Sequence, residues 1–74
     1  MSINEQIKSA IDRSIRHNEI VTVEVDDIAV AALEVSVQAD DCDSCEGVER
    51  GDTTGTDIWG DVDGADFRLF IRRP

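Results

Sequence analysis

Ile3, Ile7, Ala10, Ile11 and Ile15 fall on one side of the chain when it turns once every about 3.6 residues, so residues 2–17 predict an amphipathic helix. Ser2 and Glu5 have the spacing of a capping box at its start. Glu5 with Lys8, and Asp12 with Arg16, are placed for ion pairs along the helix surface. Arg16 and His17 suit the negative end of the helix dipole, and Asn18 is a natural stop. The period then changes: Val21, Val23 and Val25 alternate with Thr22 and Glu24, the pattern of a half-buried strand.

Ile28 to Ala39 is apolar on almost every side, and two readings compete for it. In one, Asp26 or Asp27 caps a second helix that turns Ile28, Ala31, Ala32, Val35 and Ala39 inward. In the other, Leu33, Val35 and Val37 form the inward row of a strand. Paired aspartates ahead of an alanine-rich run favour the helix. Residues 40–56 are rich in Asp, Gly, Thr, Ser and Cys without apolar periodicity, which predicts an acidic, mobile loop. Thr56–Asp61 and Asp66–Arg72 then predict a hairpin that turns over residues 61–64, with Phe67, Leu69 and Ile71 alternating on the return. The expected architecture is one α+β domain over residues 1–74: a small antiparallel or mixed sheet with a C-terminal β-hairpin, covered by the N-terminal helix and a second helix.

Composition limits what such a domain can do. At 74 residues the core is thin, and its only aromatics are Trp59, Phe67 and Phe70. A second copy covering the free sheet face would help it, so a homodimer is one expectation. Seventeen carboxylates against seven Lys and Arg give a formal charge of -10, which opposes direct binding of nucleic acid or of an anionic membrane. No run approaches the roughly 18 apolar residues of a membrane span, and the N-terminus lacks the pattern of a secretory leader, so a cytoplasmic protein is expected.

The charge is unevenly placed. Residues 1–19 balance, whereas residues 40–66 carry Asp40, Asp41, Asp43, Glu46, Glu49, Asp52, Asp57, Asp61, Asp63 and Asp66 against Arg50 alone, a local sum of -9. These ten acids, with Trp59 as an aromatic anchor, are the candidate partner-binding residues. Their natural counterpart is a protein with a basic nucleic-acid-binding groove, whose arginines can pair with carboxylates as they would with phosphates. The competing explanation is hydration of a small adaptor or housekeeping domain in a salt-adapted organism.

In length, acidity and concentration of carboxylates, the chain resembles the small phage-encoded proteins that disarm bacterial defence systems, the anti-CRISPR and related DNA-mimic inhibitors. Those proteins share no motif, so the resemblance brings no site residues of its own. It implies a stoichiometric inhibitor, acting in the host cytoplasm, that covers the basic surface of a nuclease or CRISPR-Cas complex.

Other chemistry is weakly signalled. Cys42-Asp43-Ser44-Cys45 has C-x-x-C spacing, but a tetrahedral metal site needs two further ligands, and His17 is the single histidine. A metal-binding domain using Cys42 and Cys45 is therefore a third reading. Neither Asp41, Asp43 and Glu46 nor Asp61, Asp63 and Asp66 match the calcium-loop template, since Gly47 falls one place late and Arg72 stands where a bidentate Glu is required. No cofactor is expected, nor is catalysis, because so thin a chain has little room for a pocket that would retune a carboxylate.

Overall fold

The computed structural model describes residues 2–51 and 53–74; the side chains of Glu46 and Thr53 lie outside that description. The element order is α1 (Ile3–His17), β1 (Ile20–Glu24), α2 (Ile28–Gln38), β2 (Asp41–Arg50), β3 (Thr53–Val62) and β4 (Ala65–Arg72). The strands form one sheet in the order β1-β4-β3-β2. β4 runs parallel to β1 and antiparallel to β3, and β2 is antiparallel to β3. The fold is α+β with a mixed sheet.

Local chemistry sets the helix ends. Ser2 accepts the Glu5 N–H at α1, and Asn18 closes that helix in the left-handed conformation at φ 51°. Asp27 caps α2 by accepting the Val30 N–H at 3.2 Å, which decides between the two readings of residues 28–39 in favour of the helix. Of the two expected surface pairs on α1, Asp12–Arg16 forms at 3.0 Å, whereas no Glu5–Lys8 ion pair occurs among the described residues.

Both helices lie on one face of the sheet. Ile7, Ala10 and Ile11 of α1, with Ala31 and Val35 of α2, meet Val23, Val25, Ile58, Phe67, Leu69 and Ile71 in one apolar cluster. Ser14 of α1 is buried as well. Its hydroxyl accepts the Arg68 N–H at 2.8 Å and donates to the Glu19 carbonyl at 2.7 Å, joining α1, the following turn and β4.

Where residues 40–56 are expected to form a mobile loop, residues 41–50 and 53–56 lie in strands. Asp41–Arg50 form edge strand β2, paired along β3 from Asp41↔Asp61 to Arg50↔Thr53, with a bulge between Glu46 and Val48. The expected apolar alternation is missing because an edge strand need not bury either face: Cys42 and Ser44 point to the helix side, Asp41, Asp43 and Cys45 to the open side. Strand identity is fixed here by the partner's register. The β3–β4 hairpin is tighter than the sequence suggests, turning at Asp63 (φ 52°) and Gly64 (φ 81°) alone, the paired left-handed geometry that an Asp-Gly turn accommodates.

Gly60 sits where two strands approach closely. A side chain there would meet the Asp41 carbonyl oxygen at 2.0 Å and the Cys42 Cα at 2.7 Å, both backbone atoms that cannot swing away. Gly60→Ala is therefore expected to destabilise the fold by about 1–3 kcal/mol through overpacking, measured by urea denaturation.

Candidate acidic interface on the open sheet face

The face of the sheet turned away from the helices carries the side chains that alternate with the core. Across the strands its rows are Asp41, Asp61 and Asp66; then Asp43, Trp59, Arg68 and Ile20; then Cys45, Asp57, Phe70 and Thr22. The sheet's end nearest the β3–β4 turn is thus occupied by three carboxylates on adjacent strands, with Asp43 two residues along from Asp41, a step of about 6.8 Å. Asp40 joins them by accepting the Asp63 N–H at 2.7 Å, and its own N–H donates to the Asp61 carbonyl.

Among the described residues, none of Asp40, Asp41, Asp43, Asp61, Asp63 and Asp66 makes an ion pair. Like charges facing each other across strands repel, so the row costs stability that a neutral row would not.

The structure separates the remaining acids from this group. Asp57 is 9% exposed and pairs with Arg50, Nη2 to Oδ2 at 2.8 Å, so it is neutralised and withdrawn from the surface. Glu49 pairs with Thr54 on the helix side of β2's far half, away from the turn. Asp52 and the Glu46 side chain lie outside the described residues. Sequence reasoning weighed all ten carboxylates equally because charge carries no information about which face or which end of a strand it will occupy.

Arg50 has a second duty. Its guanidinium lies 5.2 Å from the centroid of Phe70, which projects from the open face yet is only 2% exposed. The arginine covers the ring while holding Asp57, so the C-terminal half of β2 is strapped across β3 to β4. Arg50 Nε and Asp57 Oδ1 are buried without hydrogen-bond partners among the described residues, so the pair is held by one contact rather than a two-pronged fork.

Trp59 is not buried against α1. It stands on the open face, 39% exposed, at the side of a depression of about 610 Å³ lined by Cys45, Val48, Asp57, Trp59, Asp66 and Arg68. Arg68 makes no ion pair among the described residues, and its backbone is what α1 uses.

Cys42 and Cys45 are free thiols three residues apart on a strand, an odd spacing that sends them to opposite faces. Cys42 lies 3.4 Å from the Ser36 hydroxyl under α2, while Cys45 faces out beside Asp57. They cannot share a metal ion or a disulfide in this register, and no group of three or more His, Cys, Asp or Glu among the described residues is placed to hold a metal. No described helix is long and apolar enough to cross a membrane.

The chain matches no protein-family model, no curated protein and no solved structure.

Arg50→Ala should cost about 1–3 kcal/mol, between the values for exposed and buried pairs, because it uncovers Phe70 and strands a buried carboxylate. Adding Asp57→Asn should return part of that loss, which denaturation of the single and double variants will reveal. A thiol-reactive chromogen should titrate two thiols before and after mild oxidation, with Cys45 reacting first. A single intramolecular disulfide would contradict the register.

Proposed function

We propose that this chain is a binding protein whose acidic sheet end occupies a basic, nucleic-acid-binding surface of another protein and thereby inhibits it. The observation that carries this reading is the cross-strand row of Asp41, Asp61 and Asp66, extended by Asp40, Asp43 and Asp63 and lacking any described cationic neighbour in ion-pair range. A rigid sheet holds these charges at fixed spacings of about 5 Å across strands and about 7 Å along them. Their order is therefore not lost on binding, as it would be for a flexible acidic tail. Guanidinium groups of a partner would engage carboxylates of neighbouring strands by charge-assisted hydrogen bonds, and the net charge would speed encounter.

Trp59 lies next to this row and supplies the large, weakly hydrated anchor that hot spots favour. The class of target, a CRISPR-Cas or nuclease complex of a bacterial defence system, comes from the resemblance in size and charge to anti-CRISPR and DNA-mimic inhibitors. No step of covalent chemistry is called for.

The test is a neutralised variant, Asp41→Asn with Asp61→Asn and Asp66→Asn. It should be more stable than the parent at low salt, by a few tenths of a kcal/mol for each relieved contact. When the immobilised chain is offered nucleic-acid-binding proteins, those retained by the parent should be displaced by duplex DNA and by salt, and should be lost with the variant. Equal retention by parent and variant would refute the reading.

A further inference from the structure

The second surface of note is on the other side of the molecule. α2 turns Ala31 and Val35 into the core and Ile28, Ala32 and Ala39 onto its margin, yet it leaves Val30, Leu33 and Val37 at 46%, 66% and 72% exposure. These three, with exposed Ala29, form a continuous apolar stripe at helical spacing along the outer side. A surface helix ordinarily places charge there. The only charged side chain of α2, Glu34, is spent elsewhere: it accepts hydrogen bonds from Asn4 of α1 and from Gln38. Gln38 also reaches the Asn4 carbonyl, so both long polar side chains of the helix are turned towards α1.

Beside the stripe, a trough of about 330 Å³ separates α2 from edge strand β2, lined by Leu33, Ser36, Cys42, Asp43, Ser44 and Ile58. Acids border the whole. Asp26 and Asp27 precede the helix and Asp40 follows it.

We infer that the α2 stripe and its trough are a docking site for a short amphipathic segment of another protein, one with Leu-, Ile- or Phe-type side chains on one side and Lys or Arg at its flanks. Charge selects this occupant over a second copy of the chain. A two-fold pairing through α2 would bring Asp26, Asp27 and Asp40 of two molecules together, each carrying a formal charge of -10. Area argues the same way. An 11-residue helix is about 16 Å long, and three large side chains and an alanine offer a few hundred Å², well under the roughly 800 Å² per partner of a stable dimer. An apolar centre with a charged rim is what a small, specific contact needs, and a cationic partner converts the rim from repulsive to attractive. The site lies on the helix side of the sheet and stands or falls apart from the open-face reading.

The experiment uses isotope-labelled protein and a helical peptide of about five turns built from Leu on one face and Lys on the other, beside a control peptide of equal charge with Ser in place of Leu. The Leu peptide should shift the amide resonances of Val30, Leu33 and Val37. Its affinity should fall about tenfold or more in the Ser control and in the Leu33→Ser, Val37→Ser variant, whose outward positions leave the fold intact by circular dichroism. The open-face variant Asp61→Asn with Asp66→Asn, which touches none of the acids beside α2, should still show the α2 shifts. Equal binding of the two peptides, or shifts confined to the open face, would overturn the inference. So would self-association in sedimentation that the Leu33→Ser, Val37→Ser variant abolishes, because the occupant would then be a second copy.

Discussion

β4 bears the load of this small fold. It is flanked by β1 and β3, and Phe67, Leu69 and Ile71 on its helix side are the floor on which both helices rest. Each such side chain contributes about 1.5–3 kcal/mol when fully buried, so this one strand carries a large share of what a thin core can supply. On its other side Phe70 must also leave water, and no helix is available to cover it. Arg50 does so, reaching from the edge strand with Asp57 as its counter-ion. The buried ion pair is thus a consequence of covering a sheet on one face only.

That constraint divides the molecule into two unlike surfaces. The open face needs little apolar cover beyond the Phe70 strap, which leaves its end near the hairpin turn available for carboxylates. The helix face must be closed by two helices of modest length. α2 is apolar on nearly all sides, so it fills the core and also leaves an apolar stripe in solvent. The two surfaces proposed to take cationic partners would do so by different physics: ordered charge on one, apolar contact within a charged rim on the other.

Elements whose signal is local were legible from the chain. Ser2, Asn18 and Asp27 set helix ends by bonds within a few residues, and the alternation of Val21, Val23 and Val25 reports a strand half buried by the nearest core. β2 was not legible, because its residues satisfy no burial pattern of their own; β3's hydrogen-bonding edge and the Arg50 strap order them. The same holds for the thiols. C-x-x-C spacing suggests a shared ligand only while the segment is a loop, and strand geometry parts Cys42 from Cys45.

The sequence by itself determined the first helix, the existence of the C-terminal hairpin, the acidity and the segment that carries it, and it favoured the second helix, since propensity, capping and composition act over short distances. Tertiary structure decided which carboxylates share a face, that Asp57 is spent on Arg50, that Trp59 looks outward, and that α2 keeps Leu33 and Val37 in water. Those outcomes follow from strand register and from which helix flank meets the sheet, and both are set by pairing between residues far apart in the chain.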